Sequence, residues 1–287
     1  MVKLLFTAVK VSTDSMSQAE SESRRLLKIS ALRNSLVAGL LIAATATLIA
    51  WIFQLAPHYI VQTLIIFTGL LIALTPFLPQ HLPLTRFGPA NQVTLIRAGI
   101  AALIAGLAGG ATLEPTLAGW MAGLAGVALL LDGLDGWLAR RGGWHSRFGA
   151  RFDMEIDAFL ILALAALVWQ SGKTGSWVLL SGALRYGFVA LGQAFPWLRQ
   201  PLPPRWRRQA VCVIQTATLA LCLTPWLAAP WATGLAAGAL GLLTLSFALD
   251  TFWLARQTPV EWASVDGLKT GCRSATGRPV ASHSSEP

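Results

Sequence analysis

The chain has 287 residues, 54% of them hydrophobic and only 12% charged, about half the charged share of a soluble domain. That excludes an ordinary cytosolic enzyme, and the apolar runs are too long for a disordered chain. Twenty-two basic residues against 13 acidic ones give a net charge of +9. On so apolar a chain, anionic membrane lipid is the expected partner and nucleic acid is not. The three cysteines (Cys212, Cys222, Cys272) have no metal-like spacing, and no disulfide is expected.

A bilayer core of about 30 Å takes about 20 apolar residues per helix. Eight stretches qualify, at roughly 34–53, 60–79, 92–109, 117–138, 150–170, 175–195, 208–226 and 231–254. Between Arg33 and Arg86 there is no charged residue, and only the neighbourhood of Pro57 and His58 breaks the run. The predicted fold is therefore all-α: a polytopic integral-membrane bundle of about eight transmembrane helices. Residues 1–33 read as a polar N-terminal segment whose apolar run at 4–9 is too short to span. Residues 257–287, rich in Ser, Gly and Pro, read as a flexible tail.

Orientation follows from the basic residues. With eight spans, both termini and the links near 80–91, 139–149 and 196–207 share one side. That side, counting the bordering helix ends, takes every Lys and Arg except Lys173 and Arg185, with Arg97 counted among those borders. Both termini are expected in the cytoplasm, in a membrane such as the bacterial inner membrane. Trp120, Trp137, Trp169 and Trp177 fall near span ends, as interfacial anchors do.

Five of the 13 acids crowd into one stretch: Asp132, Asp135, Asp153, Glu155 and Asp157. A charge at mid-membrane costs roughly 2.5–3.5 kcal/mol on insertion scales, and clustered carboxylates repel one another, so something must neutralise them. Hard oxygen ligands point to Mg²⁺ or Mn²⁺, with room for two ions. Asp132 and Asp135 are three apart and Asp153 and Asp157 four apart, so each pair shares a helix face. Glu155 sits about 200° around the helix from Asp153 and faces elsewhere. Gly133, Gly136, Ala139 and Gly149 are small enough for close helix approach or for a ligand lying against the backbone. Arg140 is a cation suited to phosphate oxygens. Paired interfacial acids balancing Arg140, Arg147 and Arg151, or a cation or proton transport pathway, are the readings that compete with a metal site.

The stretch Asp132-x2-Asp135-Gly136-x2-Ala139-Arg140-x8-Gly149-x3-Asp153-x3-Asp157 resembles the signature of the CDP-alcohol phosphotransferases, with every fixed position present. The resemblance covers about 91–256, the family's six-helix core, and Asn91-x2-Thr94-x2-Arg97 resembles the usual start of that core. The two helices in 34–90 would then be an addition. The resemblance implies transfer of a phospho-alcohol from a CDP-linked lipid donor, CDP-diacylglycerol first among them, to a polar alcohol acceptor, with release of CMP. It implies that Asp132, Asp135 and Asp153 bind metal, and that Asp157 completes the metal site and is the base on the acceptor hydroxyl. Gly136, Ala139, Arg140 and Gly149 would form the nucleotide site. A homodimer is implied as well, and the Gly/Ala-rich run 235–242 would suit such packing.

The acceptor is less legible. Arg185 sits inside a span, where an unpaired charge is unfavourable. Arg205, Arg207 and Arg208 cluster where the seventh span begins. Together they suit an acceptor with its own phosphate, such as glycerol 3-phosphate, although positive-inside anchoring explains the last three equally well. His145 lies within reach of a phosphate but reads as a solvated loop residue, and Asp250 has a nearby partner in Arg256.

Overall fold

A computed structural model describes residues 2–110, 113–142, 146–195 and 206–257. These form eight α-helices and two short 3₁₀ turns: α1 (Val2–Ile52), α2 (His58–Leu74), α3 (Pro89–Ala105), α4 (Pro115–Gly142), α5 (Arg147–Gln170), α6 (Leu180–Ala194), α7 (Trp206–Leu223) and α8 (Ala229–Gln257). The 3₁₀ turns, Thr75–His81 and Ser176–Leu179, precede α3 and α6. The described residues contain no strand, and the all-helical membrane bundle read from the sequence is what the chain adopts. Four helical stretches are long and apolar enough to cross a membrane by themselves: Glu20–Ile52, His58–His81, Pro115–Leu138 and Ala229–Arg256. The remaining helices are shorter or carry more charge.

The helix borders have local causes. α1 runs unbroken through the polar segment expected at 1–33, because the sequence places no glycine before Gly39 and no proline before Pro57. It stops where Gln54 takes a positive φ of 51° and Pro57 begins the next helix. α3 starts at Gly88, whose φ of 77° suits glycine, followed by Pro89 in the first turn. α5 is capped by Ser146, whose hydroxyl accepts from the Gly149 N–H. The span expected at 175–195 opens as a 3₁₀ turn before becoming α6.

α3 is the central element, with 13 of its 17 residues buried. α1 and α2 pack against it, and so do α4 and α5. The first contact is tight, because a Cβ at Gly99 would sit 2.5 Å from Ile42 Cδ1. Tyr59 Oη donates to the Leu103 carbonyl at 3.2 Å, Gln62 Nε2 to that of Ala108 at 3.1 Å, and Gln92 Nε2 to Asn34 Oδ1 at 3.0 Å. α7 packs on α4, α5 and α8, and α6 on α5 and α8. At the end remote from the acids, the Lys173 ammonium donates to the carbonyls of Cys222 (3.1 Å) and Thr224 (2.5 Å), satisfying the open end of α7. Trp120, Trp137 and Trp169 are exposed as expected of interfacial anchors, whereas Trp177 packs against the core.

Candidate active site

α4 and α5 both pack on α3, and this brings Asp132, Asp135, Asp153 and Asp157 to one place. At its centre is Arg97 of α3, 1% exposed. Its Nη2 lies 2.9 Å from Asp132 Oδ1 and also bonds Asp157; its Nη1 lies 2.8 Å from Asp135 Oδ2 and also bonds Asp153. Thr94, one turn earlier on α3, has its hydroxyl 3.2 Å from both Asp135 Oδ2 and the Ala90 carbonyl. The site is graded in depth: the guanidinium is at the floor, Asp135 is nearly covered, and the side chains of Asp132, Asp157 and Asp153 are 27%, 26% and 38% exposed. All four acids therefore meet as their spacing predicts.

Arg97 is the residue whose role the sequence does not disclose. Among the basic residues at helix borders it reads as a topology signal, and the structure buries it in α3 among carboxylates. The available signal is its position as the ninth residue of a stretch of 17 with no other charge, the argument that singles out Arg185.

The donor set fits a divalent cation. One carboxylate oxygen each from Asp132, Asp135 and Asp153 lie within 4.8 Å of one another. All three are hard oxygen donors, and one guanidinium balances only one of four carboxylate charges. Beside them, between Asp132 and Asp157, opens a narrow cleft whose opposite wall is Cys212, Val213 and Thr216 of α7.

The other expected residues fall as follows. Gly149 stands in the first turn of α5, where a Cβ would meet Asn91 Oδ1 at 2.9 Å, so glycine there permits the close approach of α5 to α3. A Cβ at Gly133 would meet nothing within 4 Å. Gly136, Ala139 and Arg140 lie on the last turns of α4, and the side chains of Ala139 and Arg140 lie outside those described, as do Arg205 and His145. Glu155 does face away from the aspartates, and its partner is Arg185, at 2.8 Å. Arg207 donates to the Ser246 hydroxyl (2.9 Å) and to Asp250 (2.6 Å), with Arg208 Nε 3.6 Å from Asp250. The expected pairing of Asp250 with Arg256 is corrected accordingly: Arg207 reaches it across α7 and α8, while Arg256 lies over the Phe252 ring, 4.2 Å from its centroid.

A family model, CDP-alcohol phosphatidyltransferase, matches residues 87–249, more than half of the chain, and the match includes Arg97 and all four aspartates. The chain belongs to that family. As a CDP-alcohol phosphatidyltransferase it is a phosphotransferase enzyme, acting by transfer of a phosphatidyl group from a CDP-alcohol, and the family depends on divalent metal. Family and apolar helices together make it an integral membrane protein. The matched region begins after α1 and α2. No curated protein and no solved structure matches the chain.

Proposed function

We propose that the chain transfers a phosphatidyl group from CDP-diacylglycerol to a polar alcohol and releases CMP, as a step of phospholipid biosynthesis at the cytoplasmic face of a membrane such as the bacterial inner membrane. The observation that carries this reading is the convergence of Asp132, Asp135, Asp153 and Asp157 around one buried arginine. Asp132, Asp135 and Asp153 would hold Mg²⁺ or Mn²⁺, with Asp157 completing a second position. Bound there, the divalent ions would offset the charge of the diphosphate and make CMP a good leaving group.

The protein's own groups supply the rest. Asp157 borders the cleft, and its carboxylate accepts the proton of an acceptor hydroxyl presented there. Gly136 and Ala139 on the last turns of α4 would give the cytidine a surface with little side chain, Gly149 would contribute by letting α5 close on α3, and Arg140 would bind diphosphate oxygens.

Glycerol 3-phosphate or another phosphorylated alcohol is the first acceptor to test. Arg185 is paired with Glu155, and a phosphate bound at Arg185 would compete with that acid. Arg207 is committed to Ser246 and Asp250, which favours a role in joining α7 to α8. The engagement of Arg97 with every carboxylate pins the four acids in place, which fits a fixed metal site better than a cation conduit. A homodimer is proposed along the face of α8 where Cβ atoms at Gly234, Gly238 and Gly241 would meet nothing within 4 Å.

The deciding experiment supplies the purified protein in lipid nanodiscs with CDP-diacylglycerol, Mg²⁺ or Mn²⁺, and a panel of alcohols. CMP release that requires both a divalent ion and one alcohol supports the reading. Turnover unaffected by chelator sinks the metal assignment, and absence of CMP with every alcohol sinks the transferase reading.

A further inference from the structure

His81 closes the 3₁₀ turn after α2, ahead of the region matched by the family model, and is 1% exposed. Its Nε2 lies 2.9 Å from the carbonyl oxygen of Arg86. A carbonyl only accepts, so Nε2 carries the proton, and the neutral ring presents a lone pair at Nδ1. Ser146 Oγ, 2.7 Å from Nδ1, donates to it. With its one proton so directed, the hydroxyl turns its lone pairs toward the Gly149 N–H, which donates at 2.9 Å. The ring is wedged edge-on against Phe148 (centroids 5.9 Å apart), and Phe148 stacks on Phe152 at 5.6 Å.

What the cap controls is the angular setting of α5. Gly149, Asp153 and Asp157 follow one another at intervals of four and so lie along one line of the helix. At the head of that line Gly149 is held against Asn91, which is itself fixed by donation from Nδ2 to the Phe87 carbonyl at 2.6 Å. A small rotation of the first turn would carry both aspartates away from α3.

We propose that His81, contributed by the N-terminal addition, is a positioning residue of the transferase site: it orients the Ser146 hydroxyl that caps α5 and thereby sets Gly149, Asp153 and Asp157 against α3. The proposal rests on reading these aspartates as the metal and base set.

The test uses the full-length protein in nanodiscs with His81→Ala, His81→Gln, Ser146→Ala and the double alanine variant. Amide hydrogen exchange is followed in the first turn of α5, and Mn²⁺ affinity by electron paramagnetic resonance. His81→Ala is expected to speed exchange at Gly149 and to weaken Mn²⁺ binding about three- to tenfold, the worth of one buried hydrogen bond. Ser146→Ala should do the same, and the double variant should be no worse than Ser146→Ala, since both act through one bond. His81→Gln, whose amide supplies an acceptor and a donor, should recover most of the affinity. Wild-type exchange or wild-type Mn²⁺ affinity in His81→Ala overturns the proposal, and so does additivity in the double variant. Should His81→Ala fail to accumulate, Ser146→Ala breaks the same contact from the other side and decides by the same readouts. CMP release is measured in parallel. A wild-type protein that binds Mn²⁺ but turns over no CDP-diacylglycerol would refute the functional reading, while exchange and Mn²⁺ affinity still decide the role of His81.

Discussion

Arg97 faces four carboxylates with a single guanidinium, and three of those carboxylates keep about a quarter or more of their side chains exposed. Replacing it with Met leaves the acids to repel one another at the floor of the site. The cost is about 3 kcal/mol, the low end for breaking a buried pair because the acids are partly solvated. Arg97→Met should therefore melt at a lower temperature than the wild type, and Mn²⁺ should restore more of the loss than it adds to the wild type; equal Mn²⁺ effects in differential scanning fluorimetry would contradict this. Asp157→Asn keeps the shape of the side chain but cannot take a proton. It should lower CMP release about 10²- to 10⁴-fold, the usual worth of a general base, while the protein still folds and inserts. At this scale the acids were legible because three- and four-residue intervals put them on helix faces. Arg97 was not, because a basic residue near a helix end reads equally well as a topology signal, and only packing shows that α3 is enclosed on both sides.

Helix contacts in this bundle are set by a few positions where no side chain fits. At Gly182 a Cβ would sit 2.5 Å from the Leu162 Cα, a backbone atom that cannot turn aside. Gly182→Ala must push α6 away from α5 and should destabilise by about 1–3 kcal/mol. Gly123→Ala is the matched control, because a Cβ there meets nothing within 4 Å; it should be neutral or add about 0.5–1 kcal/mol of stability. Thermal unfolding in one detergent checks both. The helices themselves were legible from apolar length, yet their ends were not. α1 extends far beyond the expected span at 34–53, since nothing in residues 2–33 forbids a helix, and hydropathy measures what crosses a membrane rather than where a helix stops.

On the scale of the molecule, α1 and α2 are bound into the core they precede. They hold α3 through Gly99 against Ile42, through Tyr59 and Gln62, and through the amide pair of Gln92 and Asn34. A chain beginning at residue 87 keeps every signature residue but loses one whole side of α3. It should bind Mn²⁺ much more weakly than the full chain and release little CMP, and a truncated protein matching the full chain in both assays would show the addition to be a separate appendage. The sequence marked these two helices as extra without disclosing this dependence, because the contacts join residues about 45 to 60 apart through packing and backbone carbonyls that carry no residue code.

Arg97 also constrains how the protein is made. Synthesis runs from the N-terminus, so α3 leaves the ribosome with its guanidinium before any of the four carboxylates exists, and its first partners, Asp132 and Asp135, arrive with α4. Until then α3 carries an uncompensated cation that resists the hydrocarbon, a situation that favours keeping it at the headgroups or beside α1 and α2. α3 and α4 thus enter as a pair, and nascent chains halted before Pro115 should remain extractable from the membrane at α3 while those halted after α4 should not.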